Sequence, residues 1–518
     1  MPVPSYDVRD QPWIPVRTLD RATETISLRD LLHRAHELRD LAITIPPAAS
    51  AVLRVLYTLA ARITQLDQSS AAQNPEWWER HRRATFSRGR FDPDAVDTEL
   101  GRVPDRWDLF DATHPWMQDP RLHSEAGPVG INRLDPRRPA DNSPVWFRHT
   151  HRGNAAPIPT PEAILWLLVH HLYGPGGGGG TRTVDSPETG EQVSDQYMSA
   201  GPLRAALTHY PLGRTLFETL VAGIPAKPKD IEPGEDLAPW ERDELPAPLH
   251  EPPPITWPAG LLCGRGRHAL LLRPDPSGQW VTDARITWAF KKPATPINDP
   301  YCIVERKSTG EWNARRTDAD RALWRDIDAL LADSEFHRRP DIIASAFRLP
   351  PDVARELRVR VHGIDQDRQA TDRQWITATT PPLFPWLAEN DNDAAHGAAV
   401  LRAAAETVEG VMRHALRQAY QSLTATGMRP SGGEVPWIQP ARAFYWPRAE
   451  ELFWERMYAE PRDFTRPFHA FTVIAVHAVE HATDHDAHQT AVARAVAGAV
   501  KYLNNHARKK EPPPRGAT

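Results

Sequence analysis

The chain has 518 residues, with 62 basic and 67 acidic side chains and a formal net charge of −5. That length exceeds what one ordinary core organises and predicts two or more domains; the mildly acidic total excludes a free-standing binder held to nucleic acid by global positive charge, so any such contact has to be local. Cys263 and Cys302 are the only cysteines, which excludes a disulfide framework or a four-cysteine zinc site and leaves room for one buried pair.

No apolar run reaches the roughly 18 residues of a membrane span, and the opening MPVPSYDVRD has neither the basic start nor the apolar stretch of a signal peptide. A cytoplasmic protein without a membrane partner is the expectation. Only eight of the basic residues are lysine. Arginine's planar fork suits bidentate contacts to phosphate and guanine, although a GC-rich genome produces the same bias.

Residues 1–390 read as a mixed α/β domain, in which helical stretches such as Pro47 to Ile63 alternate with strand-like ones such as Ala269 to Leu272. Arg80, His81, Arg82, Arg83, Arg88 and Arg90 are interleaved with Trp77, Trp78 and Phe86. This is either a basic path for a nucleic-acid backbone or a solvated helix face beside a core tryptophan pair. A helix capped by Thr160, with Pro161 first and Ala163 to Tyr173 as its body, then runs into Gly174-Pro-Gly-Gly-Gly-Gly-Gly-Thr-Arg182. The run lacks the GK[ST] ending and the preceding strand of a phosphate-binding loop. Five consecutive glycines admit two readings: a flexible linker, or bare backbone that approaches a ligand closely. Glu251 to Pro254 is a stiff internal loop. After a strand-like Leu357 to Val361, the polar run Gly363 to Arg373 is expected as an exposed turn, where a glutamine can meet base edges.

From about Asp391 helical spacing takes over. Val400, Leu401, Ala404, Val408, Val411, Met412, Ala415, Ala419 and Leu423 form one apolar stripe, with Gly427 just past its end. Further helices are predicted over Arg448 to Ala459, Pro467 to Ala482 and Ala487 to Asn504. Residues 391–510 thus make a four-helix bundle and residues 511–518 a disordered tail. The fold class is α+β: a large mixed α/β N-terminal domain followed by an all-α C-terminal four-helix bundle. Within the third helix His477-Ala-Val-Glu480-His481 matches the H-x-x-E-H pattern of zinc peptidases. Such a site needs a third ligand from another direction; only Glu511 follows among glutamates, and Asp484 and Asp486 lie on the same helix end. A metal-dependent hydrolase built on these residues is the alternative to the reading below.

Several strings follow one another: Asp10-Gln-Pro-Trp-Ile-Pro-Val16 with Ser27-Leu28 and Leu31-Leu32, Trp107-Asp-Leu-Phe-Asp111, His114-Pro-Trp-Met-Gln118, Asn142 with Trp146-Phe147, the glycine run, and Gly201-Pro-Leu203. In order and spacing they resemble the CasA family, the large subunit of the type I-E CRISPR complex Cascade. The resemblance implies a non-enzymatic subunit of an antiviral, RNA-guided surveillance complex. In such systems the guide RNA reads the target by pairing, while the protein reads a short adjacent motif and begins strand separation.

The resemblance implies site residues as well. Gly178, Gly179 and Gly180 would meet the motif in double-stranded DNA from the minor groove, whose degenerate pattern suits acceptance of several motifs. Gln369, flanked by Arg368 and Ala370, would be the wedge that starts R-loop formation. The family's motif-reading lysine falls in a stretch holding Arg285, Lys291 and Lys292, all three open candidates, and Arg182 joins them as a DNA contact. Asn142, Trp146 and Phe147 would touch the 5′ end of the guide RNA and neighbouring Cascade subunits, and the assembled complex would recruit a separate helicase-nuclease. No cofactor is expected. Of the cysteine cluster carried by some members only Cys263 remains, so no zinc is expected either.

Overall fold

A computed structural model describes the chain apart from residues 1–3, 69–73, 141–154, 187, 232–233, 346–347, 368, 384–385, 387–391, 424–434 and 511–518. The chain forms two compact units. One comprises Met1–Arg321 and Ser334–Glu389, the other Ala322–Asp333 and Asn390–Thr518.

The first unit is mixed α/β, organised around the helix Pro46–Thr64, in which every residue except Arg62 is buried. A helix apolar around its whole circumference belongs inside a core. The few polar groups it carries inward are satisfied there: the Ser50 hydroxyl lies 2.7 Å from the Tyr173 hydroxyl and 2.6 Å from that of Tyr210, and Arg54 donates to Asp299 at 2.8 Å. Cys263 and Cys302 are both buried free thiols, so the one pairing the composition allows is not formed.

The helix Thr160–Tyr173 packs against Pro46–Thr64. Thr160 does not cap it. Pro159 holds the cap position, and the Thr160 hydroxyl donates to the Gly278 carbonyl at 2.8 Å, tying the helix start to a neighbouring turn. Beyond its far end the chain enters an antiparallel hairpin, Gly177–Asp185 with Gln192–Met198. Beside this lies a sheet in the order Ile158–Pro159, Trp280–Trp288, His268–Pro274. A second sheet, in the order Asp372–Thr379, Arg358–Gln366, Thr208–Leu212, is also antiparallel. The polar run from Gly363 therefore begins inside a strand; the turn proper is confined to residues 367–371.

The second unit holds four helices packed on one another: Asn392–Leu423, Ile438–Tyr458, Pro467–Thr483 and Thr490–Lys510. Leu401, Ala404, Val408, Met412, Ala415 and Ala419 are buried, as their spacing predicts; Gly427 lies outside the described residues. The segment Ala322–Asp333 belongs to this unit. Its Trp324 is buried against Phe453 and Trp446, with ring centroids 4.8 and 6.1 Å away. Arg325 stacks over the Trp446 ring at 4.1 Å and pairs with Glu406. Asp328 receives Arg402 at 2.8 Å.

Candidate nucleic-acid interface

The glycine run is neither a linker nor a free loop. Gly177 to Asp185 is a strand, paired so that Gly177 faces Met198, Gly178 faces Tyr197 and Arg182 faces Asp195. Three residues, 179–181, thus stand opposite Gln196 alone, which is a bulge. Glycine suits it because the bulged backbone presses on its surroundings. A Cβ on Gly179 would lie 2.7 Å from Met198 Sδ and 2.9 Å from the Ile286 carbonyl oxygen, and one on Gly180 would lie 2.9 Å from a Val129 methyl. Thr287 donates to the Gly180 carbonyl at 2.7 Å, fixing the bulge to the strand Trp280–Trp288. Gly178 differs. It is exposed, a Cβ there would meet nothing within 4 Å, and its φ lies outside the left-handed region. Its carbonyl accepts from Arg133 at 2.7 Å.

Arg182 is not a surface cation. Its side chain has 0% exposure; Nε donates to Glu125 at 2.7 Å, one terminal nitrogen to Asp119 at 3.0 Å and the other to the Trp288 carbonyl at 3.0 Å. The guanidinium also lies over the Trp288 ring, 5.2 Å from its centroid. The sequence-predicted DNA contact at Arg182 is therefore replaced by an internal anchor. Its charge is matched by two carboxylates and it offers no free edge to a phosphate.

The structure separates the three cationic candidates. Arg285 is half-buried on the strand Trp280–Trp288 and donates to the Ala126 carbonyl at 2.9 Å. Lys292 is exposed and makes no hydrogen bond or ion pair among the described residues. Lys291 forms an ion pair with Asp195 and sits 4.6 Å above the Trp288 ring. Asp195 is the organiser of this corner. Its carboxylate accepts from the backbone N–H groups of Gln196 at 2.6 Å and Tyr197 at 3.0 Å, while its own carbonyl accepts from the buried Trp288 indole at 2.9 Å. The Lys291 ammonium, followed by those amides, holds the Asp195 carboxyl down at about 2.

The predicted wedge occupies a turn built to display it. Asp367 Oδ1 accepts from the N–H groups of Gln369 at 2.8 Å and Thr371 at 2.9 Å, and Gln366 donates to the Ala370 carbonyl and to Asp372, both at 3.0 Å. Ala370 adopts φ +61°, the left-handed conformation that closes the turn. With the backbone so held, the Gln369 side chain stays exposed and has no partner among the described residues. Arg368 lies outside those residues, as do Asn142, Trp146 and Phe147, the candidate RNA contacts.

One residue that the sequence reading missed ties the end of the helix Thr160–Tyr173 to the Gln369 hairpin. Arg204 donates from one terminal nitrogen to the Tyr173 carbonyl at 2.7 Å and from the other to Asp372 at 2.6 Å. Tyr173 is the last residue before the glycine run, and Asp372 closes the Gln369 turn. A second tie is the Trp166–Trp375 ring pair, 5.8 Å between centroids, linking the helix Thr160–Tyr173 to the strand after the turn. The only sequence signal was proximity to the string Gly201-Pro-Leu203.

The basic stretch near residue 80 resolves into a helix, Pro75–Arg88. Trp78 and Arg82 are buried, with the Arg82 guanidinium 4.5 Å above the Trp78 ring, while Arg80, Arg83 and Arg88 are exposed. In the second unit His477, Glu480 and His481 all face outward, and His481 packs on Phe444 at 4.8 Å. Among the described residues no group of three or more His, Cys, Asp or Glu side chains is arranged to hold a metal ion, and Glu511 lies outside those residues. No helix among the described residues is long and apolar enough to cross a membrane.

Known proteins resemble this chain over most of its length. The family model for CRISPR-associated protein Cse1 matches residues 7–466. A solved structure described as a CRISPR RNA-guided surveillance complex is 36% identical, with a TM-score of 0.85 over 97% of this chain and 100% of that chain. Thermus thermophilus CasA (Cse1), 20% identical over 98% of this chain and 100% of its own, superposes with a TM-score of 0.73. Thermobifida fusca Cse1, 19% identical over 98% of each chain, gives 0.74. These two distant relatives attest the shared fold. No curated protein matches. Because the family pattern spans 7–466 and a 36% identical relative aligns along its whole length, this chain belongs to the CRISPR-associated protein Cse1 family, the CasA family of the sequence reading.

Proposed function

We propose that the chain is the large subunit of an RNA-guided CRISPR surveillance complex of type I-E, a recognition protein that cuts nothing itself. On this reading the exposed Gly178 edge of the glycine hairpin meets a short motif in double-stranded DNA from the minor groove, with the Gly179–Gly180 bulge setting its depth. Lys291 lies beside that hairpin through Asp195 and is the candidate motif reader, while the unpaired Lys292 suits a phosphate. Gln369 enters the duplex next to the motif and starts its opening. Asn142, Trp146 and Phe147 serve the guide RNA and the other subunits, and the assembled complex recruits a helicase-nuclease.

The observation that carries this reading is the Arg204 bridge. Reading and opening would have to happen a fixed distance apart on one duplex, and a single guanidinium bonded both to the end of the helix that leads into the glycine hairpin and to Asp372 supports such a spacing. The test uses assembled complex with Gln369→Ala. Binding to an intact motif-bearing duplex should fall more than binding to a target already melted beside the motif. Equal losses on both substrates would refute the wedge.

A further inference from the structure

Across the hairpin from Gly178 stands Tyr197. The residue is 64% exposed, and its hydroxyl has no partner among the described residues. A single exposed aromatic is ordinary on a protein surface; this one is distinguished by its neighbours. In an antiparallel pair the side chain directly opposite normally covers one side of an aromatic ring. Here the opposite residue is glycine, so the ring and the bare strand beside it form one uncovered strip.

The strip is rigid, and two basic side chains border it. Asp195 accepts the Tyr197 N–H, and the Trp288 indole clamps the Asp195 carbonyl, so the backbone under the ring is fixed from both sides. Lys291 is tied to Asp195, and Arg133 rests on the Gly178 carbonyl. An apolar ring beside bare backbone suits a nucleic-acid strand, where apolar sugar edges alternate with phosphates.

We infer that Tyr197 is a DNA-contact residue, its ring lying against the deoxyribose and base edges of the duplex strand that the Gly178 edge meets. The inference rests on the reading above that this hairpin faces DNA. The ring supplies contact area and orientation. The glycines let the groove come close enough for the ring to touch it.

The test compares assembled complexes carrying Tyr197→Ala and Tyr197→Phe with the unmodified complex on motif-bearing duplex. The alanine variant should bind roughly fivefold to tenfold more weakly and the phenylalanine variant within about twofold, since the ring and not the hydroxyl makes the contact. The yield and subunit content of the complexes should not change. Undiminished binding by Tyr197→Ala would overturn the assignment, as would a loss equally large for Tyr197→Phe. Loss of other subunits from the Tyr197→Ala complex would overturn it in favour of a protein contact. An unmodified complex that shows no preference for motif-bearing duplex would sink the DNA reading of the whole hairpin, a result distinct from failure at Tyr197 alone.

Discussion

Gly178 and Gly179 are adjacent, yet adding one methyl group to each should have opposite consequences. At Gly179 the new carbon would arrive 2.7 Å from Met198 Sδ and 2.9 Å from the Ile286 carbonyl oxygen. Methionine can rotate away; a strand carbonyl cannot, so the hairpin and the strand Trp280–Trp288 must part by several tenths of an ångström. Overpacking of this kind is worth about 1–3 kcal/mol of destabilisation. At Gly178 nothing lies within 4 Å and φ needs no glycine, so alanine should leave stability unchanged or raise it by about 0.4–1 kcal/mol through a less flexible unfolded chain. Function should follow a different order from stability. Gly178→Ala places its methyl on the edge assigned to DNA and should lower motif-dependent binding in a fully folded protein. Denaturant unfolding of the isolated chain, run beside duplex binding by the assembled complex, separates the two effects. Intact binding by Gly178→Ala would refute the DNA role of this edge, and undiminished stability of Gly179→Ala would refute the packing argument.

Further outcomes are expected. Replacing Asp195 with Asn removes the ion pair that positions Lys291 while keeping an oxygen for the two amides, so the preference for motif-bearing over motif-free duplex should weaken while the log–log salt dependence changes little; an unchanged preference would refute Lys291 as the motif reader. Arg182→Ala leaves Asp119 and Glu125 facing a buried gap and should destabilise the first unit by about 3–5 kcal/mol, seen as a lower denaturant midpoint, instead of acting as a selective loss of DNA affinity in a stable fold. Burial holds His170 down at about 3 and His171 and His268 at about 4. The unfolded chain therefore takes up protons that the folded chain refuses: their contribution is complete above about pH 6.5 and lost progressively as pH falls toward 4. Urea midpoints measured from pH 7 to pH 4 check this, and a flat profile would contradict it.

Periodicity made the helical unit legible and long-range pairing hid most of the interface. The stripe from Leu401 to Ala419 is buried as its spacing requires, and the helix predicted from Pro467 ends within a residue of its observed end at Thr483. The preceding helix, predicted from Arg448, starts at Ile438 and runs through Pro447, a residue that usually breaks a helix interior. Glycines are poor strand formers in isolation, so nothing local indicates that Gly177 to Asp185 pairs with Gln192 to Met198. An arginine directly after a glycine run looks like a phosphate ligand. Only the fold brings Asp119, Glu125 and Trp288 around Arg182. The strings that carry the family resemblance lie largely in the core: Trp13, Trp107 and Trp116 are buried, with Trp116 packed on both Trp13 and Trp240. Their spacing identifies the scaffold while leaving unstated which residues face the ligand.

The position of Trp324 bears on how such proteins can be recombined. A crossover between relatives near residue 390 would import four helices and leave behind the Ala322–Asp333 segment that plugs them. The imported Trp446 and Phe453 would then meet a foreign residue at position 324, and Arg402 and Glu406 would meet foreign neighbours at 328 and 325. Viable exchange of the C-terminal part thus requires three cuts instead of one, and the twelve-residue insert has to travel with the helices it serves.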